Sequence, residues 1–136
     1  MLIINMVGNL EEKARNYYIL AVIAETFGMT SEAATNYFKA LFAIDDAAIT
    51  RIGKAPKDHT ERFEVLKASF PNLYRITDRL FSTYRRTYTK DLEKGEVALV
   101  KKQVEEAFKY AKIELPKNEE IRGRIEEIAK KGKFSG

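Results

Sequence analysis

One histidine, His59, is the side chain best suited to proton transfer, and it lies in the stretch GKAPKDHTERF at residues 53–63. Imidazole can exchange a proton near neutral pH, and a guanidinium can hold a phosphate by paired hydrogen bonds. A carboxylate can orient either group. We therefore group His59 with Arg51, Asp45 and Asp46, and we treat His59 and Arg51 as the candidate catalytic residues.

Two adjacent arginines, Arg85 and Arg86 in the segment YRRTY, provide a second cationic element. Neighbours on a helix point about 100° apart, so we expect one of them to face a given cleft while the other pairs with Asp45, Asp46 or solvent. A helix should hold these arginines more firmly than the basic tail AKKGKFSG holds its lysines. The predicted ligand-binding set is Arg85, Arg86, His59, Arg51, Asp45 and Asp46.

Two interpretations of these residues remain open from the spacing alone. A histidine and an arginine could cleave RNA without a metal, with the ribose 2′-hydroxyl as the nucleophile. Alternatively, the histidine faces solvent in a first helical turn and the arginines form surface or interhelical ion pairs.

Several other chemistries lack their residues. The chain has no cysteine, which excludes disulfides, thiolate nucleophiles and zinc-thiolate sites. It has no phosphate-binding glycine loop and no Glu-x-x-His pair. We therefore predict no metal site and no cofactor. The net charge of +4 is too small to indicate nucleic-acid binding by itself.

Length and composition are typical of one globular domain, which we assign to residues 1–136. Apolar residues make up 45% of the chain and charged residues 32%, proportions that fit neither a disordered nor a membrane protein. The start MLIINMV lacks the basic flank and long apolar run of a signal peptide. We expect a protein that begins at or near Met1, stays in the cytoplasm and does not enter a membrane.

Helical spacing of apolar residues dominates the chain. A first helix is predicted at 9–27, where Asn9 and Glu12 form a capping box and Gly28 ends the helix. Most aromatic side chains fall at helical spacings, and we assign them to the core.

The second helix is predicted to begin at a Thr30 or Ser31 cap and to end at Gly53. A short third helix opens with Asp58 and Glu61 as a capping box, which places the histidine in its first turn.

Three more helices follow. Pro71 predicts a kink or a fresh start, because proline is tolerated only in a first helical turn, and a helix of about 17 residues then runs to Tyr88. A long helix is predicted at 92–114. Asn118 caps the last helix, and Gly132 ends it. Together these elements predict an all-α fold, an antiparallel up-and-down bundle of four long helices with additional short helices.

Three segments resemble the prokaryotic HEPN family of nucleotide-binding helical bundles. They are SEAATNYFKALFAI, APKDHTERF and RLFSTYRRTYTKDLEKGEVALVKKQVEEAFKYA, and the resemblance covers about residues 10–112. It implies a four-helix bundle, a homodimer and, in many members, a nucleotidyltransferase partner in a toxin–antitoxin pair.

Catalytic members of that family cleave RNA with an arginine followed by a histidine, with four to six residues between them and usually a polar residue after the arginine. Here seven residues separate Arg51 from His59, and Ile52 follows the arginine. The departure favours a non-catalytic member that binds a nucleotide or RNA, or docks with a nucleotidyltransferase. The alternatives are a metal-independent endoribonuclease and a purely structural interaction scaffold.

A homodimer is also predicted from apolar residues that lie off the main stripe of their helices. Ile23, Phe38 and Phe81 are the clearest of these. A second copy of the chain could cover such side chains.

Overall fold

The computed structural model describes residues 2–135 and the side chains of residues 2–132, so the expectations about Met1 and about the last side chains of the tail lie outside the described residues. The described part of the chain is helical and contains no strand, which confirms the all-α class. None of its helices combines the length and the apolar character needed to cross a bilayer. The helices are α1 (Leu2–Thr26), α2 (Thr30–Arg51), α3 (His59–Ser69), α4 (Pro71–Arg86), α5 (Lys94–Ala111) and α6 (Asn118–Ser135).

Helix α1 begins at Leu2, so the start predicted at Asn9 is wrong. A capping residue needs non-helical backbone, and here the chain before Asn9 is already helical. The end agrees with the prediction: α1 stops at Thr26, and Gly28 takes a positive φ of 78° that a side chain would disfavour.

Helix α2 begins at Thr30 without a side-chain cap, because the capping position is occupied by Met29. The predicted cap at Thr30 or Ser31 is therefore wrong, and the Ser31 hydroxyl donates instead to Asp91 Oδ1 at 2.9 Å. At the other end Gly53 has a φ of 79° just beyond the helix, as expected for a glycine stop.

Helix α3 has the predicted cap. The Asp58 carboxylate accepts a hydrogen bond from the Glu61 backbone N–H at 2.9 Å. The Glu61 carboxylate accepts a hydrogen bond from the Lys57 backbone N–H at 3.3 Å, not from the Asp58 N–H that a capping box would use. Half of the capping box is therefore present, and the other half is displaced by one residue.

Pro71 is the first residue of α4, which confirms a fresh start rather than a kink. The ends of the next helices lie a few residues from the predicted positions. Helix α5 is held at its start by a reciprocal capping box between Glu93 and Glu96, and it ends before Lys112, which has a left-handed φ of 57°. Helix α6 begins at Asn118 itself, so the predicted cap at Asn118 is wrong, and it continues past Gly132, so the predicted end is wrong as well.

Helix α2 occupies the middle of the fold and contacts α1, α3, α4 and α5. Its buried face combines alanines with large side chains such as Tyr37, Phe38, Leu41 and Ile44. The helix therefore buries most of its circumference. The side that faces α3 and α4 contributes residues to the candidate functional site.

Two buried tyrosines join the core of α1, α2 and α5. Tyr18 donates to Glu105 Oε2 and Tyr37 donates to Glu25 Oε1, each at 2.6 Å. Burial, together with these acceptors, raises the pKa of both phenols well above the usual range. Both hydroxyls therefore stay protonated as donors, and the buried phenols are satisfied.

Candidate functional site

His59 is the first residue of α3, directly after the Asp58 cap, and its imidazole packs against α2 and α4. Its ring centroid lies 5.0 Å from that of Phe42 and 5.0 Å from that of Phe81. The Tyr84 ring is 6.2 Å away. The prediction of a first-turn position is confirmed, but the ring is half-buried among aromatic side chains and is not an isolated surface group.

Arg62, one turn further along α3, is the direct partner of this imidazole. Its Nη1 lies 2.6 Å from His59 Nδ1. A guanidinium can only donate, so Nδ1 is the acceptor and a neutral ring carries its proton on Nε2. Burial and the charge of Arg62 lower the pKa of His59, while Asp46 and Asp58 act in the opposite direction. The imidazole is therefore neutral at physiological pH.

Asp46 on α2 binds the same guanidinium in a bidentate ion pair. Arg62 Nε is 2.8 Å from Asp46 Oδ1, and Nη2 is 3.0 Å from Oδ2. The guanidinium carbon also lies 5.2 Å from the centroid of the Phe42 ring. Burial would lower the pKa of Arg62, but the hydrogen bonds and charge of Asp46 outweigh it and raise that pKa. The planar group is held in one orientation between a carboxylate and a ring.

Asp45 lies beneath this cluster and is inaccessible to solvent. Its Oδ2 accepts a hydrogen bond from the Thr77 hydroxyl of α4 at 2.6 Å, and its Oδ1 has no partner within the described residues. Burial raises the pKa of Asp45 well above its ordinary value, although Thr77 and Arg62 oppose that shift. Asp45 therefore ties α2 to α4 from inside and cannot touch a ligand at the surface.

Arg51 belongs to a different part of the molecule. Its guanidinium donates to the Ala111 carbonyl and, at 2.6 Å, to Glu11 Oε1. These contacts join the end of α2 to α1 and α5. The structure therefore brings His59 and Asp46 together through Arg62, and it does not bring Arg51 to them.

Arg85 and Arg86 diverge, as their adjacent positions on α4 predict. Arg86 forms an ion pair with Glu96 of α5, not with Asp45 or Asp46. The guanidinium carbon of Arg85 lies 5.3 Å from the centroid of Phe81. Arg85 is thereby placed on the His59 side of α4, whereas Arg86 points to α5.

Half-buried rings continue in both directions from His59, and we call this row the aromatic strip. Along it, successive ring centroids are 5.0 to 6.1 Å apart. Its members are contributed by α2, α3 and α4, and all are partly accessible to solvent. In spatial order they are Tyr74, Phe63, Phe81, His59 and Phe42.

Three members of the aromatic strip carry a cation over their rings. Lys67 Nζ lies 5.9 Å from the Tyr74 centroid. The other two are the contacts of Arg85 with Phe81 and of Arg62 with Phe42 described above. These distances fall within the range of a cation–π attraction. The surface therefore alternates apolar ring area with positive charge.

Arg62 was not predicted from the sequence, whereas Arg51, which was predicted, lies outside the site. Two contacts of the site follow from helical spacing. His59 and Arg62 are three residues apart and share a helix face, and Phe81 and Arg85 are four residues apart and also share a face. Arg51 lies about 140° around α2 from Asp46, at 100° per residue. The aromatic strip also depends on how α2, α3 and α4 are aligned. That alignment is tertiary and cannot be predicted from local sequence spacing.

The arrangement is suited to binding more than to proton transfer. Half-exposed rings can stack on flat ligands, and the guanidiniums can hold anions. The imidazole Nδ1 and three Arg62 N–H donors are already engaged within the protein. Within residues 2–132, no three acidic or histidine side chains come together as metal ligands would.

Comparisons of this chain with protein-family models, with characterised proteins and with solved structures found no match. The resemblance to the HEPN family therefore stays a prediction.

Proposed function

We propose that this chain is a non-catalytic binding module that takes a nucleotide or an RNA segment on the aromatic strip. One observation carries the proposal: three partly exposed rings of the strip each carry a cation at 5.2–5.9 Å. Bases have a π-face that stacks on such rings, and phosphates pair with the cations beside them. Stacking of a base on an aromatic side chain contributes about 1–3 kcal/mol.

Arg85 is the proposed phosphate contact. It is exposed, it forms no ion pair among the described residues, and it is packed on Phe81. A guanidinium held by a ring loses less freedom on binding than a mobile lysine does. Arg62, in contrast, already shares its charge with Asp46, so its role is to position His59 and the Phe42 ring.

Binding is favoured over the ribonuclease alternative by the state of the histidine. His59 accepts a hydrogen bond from Arg62 at Nδ1, so only Nε2 remains for a ligand. The arginine that the family pattern would place beside it, Arg51, is engaged with Glu11 and the Ala111 carbonyl. A neutral imidazole that donates from Nε2 fits a hydrogen bond to a base or phosphate oxygen.

The remaining features of the proposal depend on the family resemblance. We propose an antiparallel up-and-down HEPN-type bundle formed by α1, α2, α4 and α5, acting in the cytoplasm. At 18 residues, α6 is not the short additional helix that was predicted. The close succession of α1 and α2, with only residues 27–29 between them, supports an antiparallel pair. A nucleotidyltransferase partner of the toxin–antitoxin kind is proposed on the same resemblance.

A homodimer is part of the proposal, but the residues that favour it differ from those expected. Phe38 is only 1% exposed, and Ile23 and Phe81 are half-buried, so they need no partner to cover them. The most exposed aliphatic side chains lie at the start of α1, where Leu2 is 74% and Ile4 is 71% exposed. Replacing both by glutamine should convert a dimer into a monomer in light scattering; a wild-type monomer at micromolar concentration contradicts the dimer.

The binding proposal is tested with a fluorescently labelled single-stranded RNA and with nucleoside monophosphates. Replacing Phe81 by alanine should weaken RNA binding about tenfold, given the cost of losing one stacked base. Tyr110, half-exposed on α5 and outside the strip, provides the matched control in Tyr110→Ala. Equal losses in both variants, or no binding by the wild type at low salt, would contradict the proposal. Cleavage of the RNA in the presence of a chelator, abolished by His59→Ala, would establish the ribonuclease instead.

A further inference from the structure

A cleft of about 250 Å³ opens beside the aromatic strip, between the first turns of α2 and the segment that follows α4. It combines two phenol rings, three aliphatic hydroxyls and one carboxylate. The side chains that matter to its chemistry are Ser31, Thr35, Tyr84, Thr87, Tyr88 and Asp91. Such a mixture of flat apolar wall and directed polar groups is typical of a site for a small flat molecule.

Tyr84 connects this cleft to the aromatic strip. Its ring contacts His59 and Phe42 on one side and the Tyr88 ring, at 5.5 Å, on the other. The Tyr88 hydroxyl donates to the Tyr84 hydroxyl at 3.0 Å. Tyr88 is nevertheless 73% exposed, so most of its ring area is available for stacking. A nucleotide that reaches from the cleft to the strip would stay in contact with aromatic surface throughout.

Asp91 provides the one carboxylate among the residues that line the cleft, and it is exposed. Ser31 Oγ donates to Asp91 Oδ1 at 2.9 Å and orients the carboxylate at the wall of the cleft. A carboxylate repels a phosphate, so the phosphate lies outside, toward the cationic rings of the strip, and the base lies inside. An ionised carboxylate is purely an acceptor with about four lone-pair positions, so it can hold donors of the base while it keeps the serine.

We propose that the cleft selects guanine, an inference that rests on the proposed nucleotide or RNA binding. Guanine alone among the common bases presents two adjacent N–H donors, the ring N1–H and the exocyclic amino group, to one carboxylate. Adenine and cytosine present an amino group beside an unprotonated ring nitrogen, and uracil presents one N–H between two carbonyls. A carboxylate would repel those acceptors, and the loss of a matched donor weakens binding.

The test is a calorimetric titration of the full chain with guanosine, inosine and adenosine monophosphates. Inosine retains the ring N–H and lacks the exocyclic amino group, so it isolates the second hydrogen bond. The guanosine nucleotide should bind about tenfold or more tightly than either of the others. Asp91→Asn should remove that preference while circular dichroism shows an unchanged helical content. Asp78→Asn, at an exposed carboxylate of α4 away from the cleft, should retain it.

The outcomes separate this inference from the proposed function. Equal affinities for the three nucleotides, or a guanosine preference that survives Asp91→Asn, would overturn the guanine site and leave nucleotide binding intact. Absence of binding by all three nucleotides and by labelled RNA would overturn both. If Asp91→Asn fails to fold, Tyr88→Leu provides the second variant: it removes the exposed stacking ring and should weaken the guanosine nucleotide about tenfold, and an unchanged affinity would count against the cleft.

Discussion

Arg62 donates to His59 Nδ1 across 2.6 Å while it is also held in a paired ion bridge by Asp46. The Asp46 carboxylate is thereby paired with the arginine, and the imidazole contacts the guanidinium directly. A histidine near a carboxylate would ordinarily gain a proton more readily. Here burial of the ring and the charge of the interposed Arg62 together outweigh that effect, and the pKa of His59 is lowered.

The first prediction concerns this lowered pKa. Replacing Arg62 by glutamine removes the cation that opposes protonation, so the pKa of His59 should rise from its lowered value toward or above 6.5, the ordinary one. Because His59 is the only histidine, one imidazole resonance in an NMR titration measures it. Arg86→Gln, which breaks a pair with Glu96 on the other side of α4, should leave that titration unchanged.

The same lowered pKa sets a pH dependence of stability. A group that binds protons less readily when folded contributes stability that is present above its unfolded pKa and is lost as pH falls through the folded pKa. The free energy of unfolding of the wild type should therefore decrease below about pH 6.5, the ordinary pKa of histidine. His59→Gln should flatten that part of the profile, measured by denaturant titration, because glutamine does not titrate.

Asp45 predicts the opposite dependence, which begins above its ordinary pKa of 3.8. Its raised pKa means that the folded state holds the proton, so its contribution is fully present below the unfolded pKa and is lost as pH rises through the folded pKa. Asparagine can still accept from Thr77 and cannot ionise. Asp45→Asn should therefore gain stability relative to the wild type as pH rises. A difference between the two proteins that stays constant with pH, or a parallel gain in the surface control Asp78→Asn, would contradict this account.

Arg85 and Arg86 make a matched pair for the anion contact. Arg85→Gln should weaken RNA binding and reduce the slope of affinity against salt by about one phosphate contact. Arg86→Gln should change both less, because Arg86 is already paired with Glu96. Deletion of residues 130–136 should reduce the salt-sensitive, non-specific part of the binding. If binding survives Arg85→Gln and disappears with the tail, the proposed contact is wrong.

Lys112 offers a test of backbone strain outside the site. Its φ of 57° is left-handed, and this conformation costs a residue with a side chain roughly 1–2 kcal/mol relative to glycine. Lys112→Gly should therefore stabilise the protein by up to about 1 kcal/mol. Lys109→Gly, within the last turn of α5, should destabilise it by a similar amount, because glycine is a poor helix former. Thermal unfolding of both variants measures the contrast.

The all-α class and several helix ends could be predicted from the sequence, because those ends depend on local backbone chemistry. Gly28, Gly53, Asp58 and Pro71 each act through local backbone chemistry, and each acts where predicted. Asn9 does not cap a helix, because a capping residue needs non-helical backbone and the residues before Asn9 are already helical.

The site was only partly readable, since its members come from three helices. Local spacing places His59 in a first turn and separates Arg85 from Arg86. It does not reveal that Asp46 takes Arg62, because that pair depends on how α2 and α3 are aligned. Arg51 and His59 are close in sequence, but the helical rotation between Asp46 and Arg51 directs the arginine to α1 and α5.

The alanines of α2 have a consequence for how folding entropy is distributed. Alanine has no side-chain rotamers to lose, so burying it orders only the backbone. About half of the buried positions of the central helix therefore become ordered without loss of side-chain freedom. That loss falls on the larger buried residues of α2 and on the residues that pack around it. The alanines concerned are Ala33, Ala34, Ala40, Ala43, Ala47 and Ala48.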